Sequence, residues 1–148
     1  MKNIPIGQIL VENGFLKEEQ LNEALEKQRT EPGKKLGDVL LELGYVSETQ
    51  LAQALSIRLK VPFIDLTTTK IDIEAVKKIP EAIAKKNCCV AFQMTDSRLT
   101  VATDDPINFY IFEELKVISG MEIHAMIATR TAINETINKA YSQQTVSN

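Results

Sequence analysis

The hydrophobic positions between Ile6 and Arg58 fall into two matching sets. Ile6-Gly7 returns as Leu36-Gly37, Leu10 as Leu40, Gly14 as Gly44, Leu21 as Leu51, Ala24 as Ala54 and Leu25 as Leu55, always at an offset of 30 residues. Polar positions recur with them: Glu12, Glu18 and Gln20 return as Glu42, Glu48 and Gln50. A fixed period of this kind marks a repeated supersecondary unit. In the first copy Ile6, Ile9 and Leu10 lie at helical spacing, and Gly14 suits the left-handed position that stops a helix. A second helix then carries the stripe Leu21, Ala24, Leu25 and Gln28. In the second copy the stripe is Leu51, Ala54, Leu55 and Arg58, with Ser47 and Gln50 as a capping box ahead of it. Glu31-Pro32-Gly33-Lys34-Lys35 reads as a tight polar turn between the copies. Two copies are too few for a solenoid, so the pattern predicts a pair of helical hairpins packed on each other.

Beyond the repeats the period changes. Val61-Pro62-Phe63-Ile64-Asp65-Leu66 is extended, because Pro62 disfavours helix at Val61. Thr67 to Lys70 is a polar connector. Asp72 caps a helix to about Ile79, and Pro80 opens another through Lys86. Cys88 to Thr95 is a β run, Asp96-Ser97 a hairpin turn, and Arg98 to Thr103 the returning strand. Asp105-Pro106 predicts a helix start with a buried stripe of Ile107, Ile111, Leu115 and Ile118, ended by Gly120. Met121 to Ala128 is a third strand. A last helix, capped by Thr129 or Thr131, buries Ile133, Ile137, Ala140 and Tyr141, and Ser142 to Asn148 reads as a frayed tail. The fold class is therefore α+β: a helical repeat pair over residues 1–66, with copies at 5–28 and 35–58, then a three-stranded α/β unit over 67–148 with the order α-α-β-β-α-β-α.

Composition narrows the chemistry. The 148 residues are 44% hydrophobic and 25% charged, with a net charge of −3 and a pI near 5.3. There is no bulk basic field for nucleic-acid polymers. No apolar run reaches the ~20 residues of a membrane-spanning helix, and MKNIPIGQIL lacks a signal-peptide layout, so the expected location is cytoplasmic. Cys88 and Cys89 are adjacent and would point to opposite faces of a strand, which suits core packing better than a disulfide or a metal pair. Gly33-Lys34-Lys35 lacks the upstream glycine and the hydroxyl residue of an ATP phosphate loop. His124 is the only histidine, with no Cys or His near it in sequence, so no metal site and no catalytic residue is expected. Asp104-Asp105 reads as helix capping rather than as a metal pair, and Lys77-Lys78 and Lys85-Lys86 as solvated helix edges.

The repeat PIGQILVENGFLKEEQLNEALEKQ (residues 5–28) and KLGDVLLELGYVSETQLAQALSIR (residues 35–58) resembles RLGxxLxxxGxxxxxxLxxxLxxQ. That twice-repeated motif belongs to the N-terminal, MshEN-type domains of type II secretion and type IV pilus assembly ATPases, the GspE/PilB group. VPFIDL and the RLTVATDDPIN stretch are similar to the same family, so the resemblance covers nearly the whole chain. It implies a non-catalytic domain ahead of a motor, docked to an inner-membrane platform through a cytoplasmic partner of the GspL or PilM kind. Such a domain would be cytoplasmic, and peripheral to the inner membrane through that partner.

The resemblance implies a second use. In some members the two motifs together bind cyclic di-GMP through the leading Arg, the closing Gln, backbone and apolar groups. Carried over residue by residue, the candidate ligand-binding set here is Gly7, Gln28, Lys35, Gly37 and Arg58. The chain departs from the motif where the ligand is read: Pro5 and Lys35 stand in place of Arg, and Arg58 in place of the closing Gln. Lysine keeps the charge but not the planar fork that makes paired bonds, and proline supplies neither. Gly7 and Gly37 have a plain packing role open to them, since glycine allows close helix approach.

Overall fold

A computed structural model describes residues 5–146. The chain forms two compact units, Met1–Lys60 and Val61–Asn148.

The first unit holds α1 (Ile6–Glu12), α2 (Glu18–Arg29), α3 (Leu36–Leu43) and α4 (Glu48–Leu59). The repeat in sequence is a repeat in backbone geometry. At the end of α1, Gly14 has φ +77°, and the N–H groups of Gly14 and Phe15 donate to Val11 and Leu10. At the end of α3, Gly44 has φ +75°, and Gly44 and Tyr45 donate to Leu41 and Leu40. Both are the paired C-terminal closure that a left-handed glycine makes possible. The expected capping box on α4 is complete: Ser47 Oγ accepts from the Gln50 N–H at 3.1 Å, and Gln50 Oε1 accepts from the Ser47 N–H at 3.0 Å. On α2 the first copy keeps half of it, Gln20 Oε1 accepting from the Lys17 N–H, because Lys17 has no acceptor to return.

The copies do not pack as two self-contained hairpins. The short helix of each pairs with the long helix of the other, α1 on α4 and α2 on α3. Ile9, Leu10, Leu16 and Ala24 of one copy share a core with Val39, Leu40, Val46 and Ala54 of the next. An apolar stripe specifies which face of a helix is buried but not which partner it meets, and the partner here lies across the repeat boundary. Leu25, placed in the stripe by its spacing, is 37% exposed, and Arg58 is exposed at the end of α4.

The second unit contains α5 (Ile73–Val76), α6 (Glu81–Asn87), β1 (Cys89–Met94), β2 (Arg98–Thr103), α7 (Phe109–Ser119), β3 (Glu122–Ile127) and α8 (Arg130–Val146). The sheet order is β1-β2-β3, with β1 and β2 antiparallel and β2 and β3 parallel. A register shift between Ala91 and Gln93 interrupts the β1–β2 ladder, and the Phe92 carbonyl there accepts from the Asp72 N–H at 2.9 Å. Asp72 Oδ1 in turn caps α5 through the Glu74 N–H. Phe92, Ile79, Leu99, Ile133 and Ile137 are buried in the core of this unit. Each side chain of that size contributes roughly 1.5–3 kcal/mol by leaving water.

The structure departs from the sequence expectation at three places here. Phe63 bridges Ile127, the Ile127 N–H donates to Pro62 and the Ile64 N–H donates to Ile127, so 61–66 lies along β3. The division of the chain accordingly falls at Lys60/Val61 rather than after Leu66. The helix expected to start at Asp105-Pro106 starts at Phe109, with Asn108 as its cap residue. The carbonyl of Asp105 is taken by the Asn108 N–H in a turn, and the ψ of 81° at Asn108 separates that turn from α7. The later start leaves Ile107 outside the helix and 58% exposed, while Leu115, Ile111 and Phe112 face the core. Finally, α8 runs on to Val146, past the tail expected from Ser142; residues 147–148 lie outside the described residues. Thr129 is its cap, with Oγ1 accepting from the Ala132 N–H.

Candidate functional site

The candidate residues lie at the ends of the repeat helices. Lys35 is the residue that precedes α3, and Pro5 holds the equivalent place before α1. Gln28 is in the last turn of α2, half-buried, and Arg58 is its equivalent in the last turn of α4. Because α2 packs on α3, the end of copy one meets the start of copy two. The side-chain amide of Gln28 donates to the Lys34 carbonyl at 2.9 Å, next to Lys35. The fold thus ties Gln28 to the backbone immediately before Lys35. The same exchange packs α4 on α1, the helices that carry Arg58 and follow Pro5.

Gly7 and Gly37 sit one turn inside these ends. A Cβ built on Gly7 would lie 2.6 Å from Leu21 Cδ1, and one on Gly37 would lie 3.0 Å from Leu51 Cδ2. Each glycine therefore lets its short helix settle on the leading leucine of the long helix in its own copy. Gly7 also touches copy two, since its Cβ would lie 3.3 Å from Leu36 Cδ2. A packing role is thus filled by both glycines, more tightly at Gly7 than at Gly37.

Lys34, one position before the residue singled out by the motif, organises the turn. Its ammonium pairs with Glu42 on α3 and lies 3.7 Å from Glu31. The hydrogen bond to Glu42 raises the Lys34 pKa above the ordinary lysine value and lowers that of Glu42 below the ordinary carboxylate value. The two copies are further tied by Tyr45, whose hydroxyl donates to Glu23 Oε2 at 2.7 Å. The only sequence signal for these contacts was the placing of Glu31, Glu42 and Glu23, which reads as ordinary surface charge until the copies are known to exchange partners.

The remaining reactive side chains have structural settings. Asp104 Oδ2 accepts from Arg130 Nε at 2.9 Å, joining the loop after β2 to the start of α8. Cys89 is buried in β1, and burial pushes its thiol up to about 12, so it stays protonated and weakly nucleophilic. Cys88 closes α6 with φ 49°. His124 is exposed on β3.

Comparison with known proteins bears on the fold and the family. The chain is 29% identical over 139 residues to the type IV pilus assembly ATPase PilB of Myxococcus xanthus, an alignment that takes in 94% of the chain and 24% of PilB. The chain thus spans about a quarter of that relative. A structure of MshE with cdg matches at a TM-score of 0.79 and 32% identity, covering 93% of this chain and 99% of that one. The N-terminal domain of XpsE matches at a TM-score of 0.68 and 22% identity, covering 93% and 97%, a likeness of fold. Residues 59–147 match the model of the MshEN domain. The chain belongs to the MshEN domain family.

Proposed function

We propose that this chain is the non-catalytic docking and regulatory N-terminal domain of a type II secretion or type IV pilus assembly ATPase. It recruits the motor to an inner-membrane platform through a cytoplasmic partner of the GspL or PilM kind. The observation that carries this reading over nucleotide sensing is the use made of the repeat ends. Gln28 commits an amide N–H to closing the turn on Lys34, and Pro5 offers no donor where the motif has Arg. The alignment with PilB over nearly the whole chain supports the assignment to such motors. Capture of the partner's cytoplasmic domain on the immobilised chain, at low and at high salt, tests the proposal. With a net charge of only −3 the interface should be partly apolar, so binding should survive moderate salt; loss of all binding there contradicts it.

A second reading is cyclic di-GMP sensing by the two repeated motifs. The relative solved with cdg, which we read as cyclic di-GMP, supports it, as does the placing of Gln28 against the backbone of Lys34, the residue before Lys35. Gly7, Gly37 and Arg58 would complete the site. By analogy with paired contacts to bases, each lost bidentate bond costs ~1–3 kcal/mol. Two such losses carry a micromolar site to a roughly millimolar one.

A further inference from the structure

The outer face of α7 is apolar and uncovered. Phe109 is 71% exposed, Tyr110 90% and Val117 82%. A helix turns about 100° per residue, so these three share one side with Glu113 and Glu114, opposite the Leu115 and Ile111 that meet the core. Ile107, in the turn just before the helix, adds to the exposed apolar surface of this segment. Large apolar side chains left exposed together on one helix face are a feature of interaction surfaces.

The charges on this face restrict what can cover it. Among the described residues the side chains of Glu113 and Glu114 make no hydrogen bond or ion pair, and Lys116, at the margin, pairs with neither. A wholly apolar partner would strip water from two carboxylates without compensation. An anionic lipid surface would repel them. Phe109 and Val117 lie about 12 Å apart along the axis at ~1.5 Å per residue, the span of two turns of a partner helix. We infer that this face docks an amphipathic basic helix of a protein partner, its apolar stripe on Phe109, Tyr110 and Val117 and its Lys or Arg side chains on Glu113 and Glu114. That such a partner exists rests on the docking reading above; the assay below reads the face without the platform protein, so the two fail separately.

The probes are a synthetic helical peptide with a leucine stripe flanked by lysines, its counterpart with glutamate at every lysine, and vesicles of phosphatidylcholine with phosphatidylglycerol. The chain should bind the lysine peptide in preference to the glutamate peptide. Tyr110→Ala with Val117→Ala should weaken that binding at least about tenfold, well outside the effect of scattered surface changes. Glu113→Lys with Glu114→Lys should transfer the preference to the glutamate peptide. All four side chains are exposed, so the variants should unfold at the parent's temperature. Equal binding of both peptides, binding of neither, variants that bind as the parent does, or capture by the vesicles instead would each overturn the inference.

Discussion

The side-chain amide of Gln28 donates to the backbone carbonyl of Lys34 at 2.9 Å, joining the last turn of copy one to the chain that begins copy two. The bond closes the turn through Pro32 and Gly33, where Gly33 has φ +86°. Gln28→Ala removes the donor from a half-buried carbonyl and should cost about 0.5–1.5 kcal/mol. Urea unfolding of the isolated chain measures this. Gln28→Asn, whose amide is one methylene short of the carbonyl, should lose a similar amount. Parent stability in both variants would mean that the bond does not secure the turn.

The two glycines should respond unequally to an added methyl group. At Gly7 the new Cβ meets Leu21 at 2.6 Å, while at Gly37 the nearest atom of Leu51 is 3.0 Å away. Overpacking costs about 1–3 kcal/mol where neighbours cannot give, offset in part by the better helix propensity of Ala. Gly7→Ala should therefore be the more destabilising, and Leu21→Val should relieve it in the double variant. Equal thermal unfolding of the two single variants would place the constraint elsewhere, at a ligand for example.

Tyr141 is buried in the last helix, and its hydroxyl donates to the Ile79 carbonyl at 2.6 Å. Tyr141→Phe leaves that carbonyl short of a partner and should cost about 1–3 kcal/mol at neutral pH. Burial also pushes the phenol up from its ordinary 10.0 to about 12. The folded state thus favours the protonated form, so this stabilisation is complete below pH 10 and is lost as pH rises towards 12. Cys89, moved from 9.0 to about 12 by burial, acts in the same sense from a slightly lower pH. Tyr141→Phe should accordingly flatten the alkaline fall in stability without abolishing it. An unchanged alkaline limb would show that Tyr141 is not the group responsible.

Much of this fold was legible because local chemistry set it. Gly14 and Gly44 stop their helices where the left-handed position demands them, Ser47 with Gln50 caps α4, and Ile133, Ile137, Ala140 and Tyr141 form the buried side of α8. What was not legible depended on distant partners. The pairing of α1 with α4 and of α2 with α3 is invisible to a stripe of leucines, which reports a face and not its neighbour. The placing of 61–66 with the second unit rests on Ile127, far along the chain. Asp105-Pro106 carries a helix-start signal, but Pro106 serves equally well in a turn, and here the turn precedes the helix. Of the candidate site, motif positions alone pointed to Gln28 and Lys35; the use of the Gln28 amide by Lys34 required the fold.

Calorimetric titration of cyclic di-GMP into the parent chain and into the variant combining Pro5→Arg, Lys35→Arg and Arg58→Gln bears most directly on whether the repeats serve docking or sensing. If the ligand-reading groups are eroded and docking is the function, the parent should bind no more tightly than about millimolar. The triple variant, with both motifs rebuilt, should gain at least ~10-fold, or about 1.4 kcal/mol. Micromolar or tighter binding by the parent would contradict this account and make nucleotide sensing the function of the repeats.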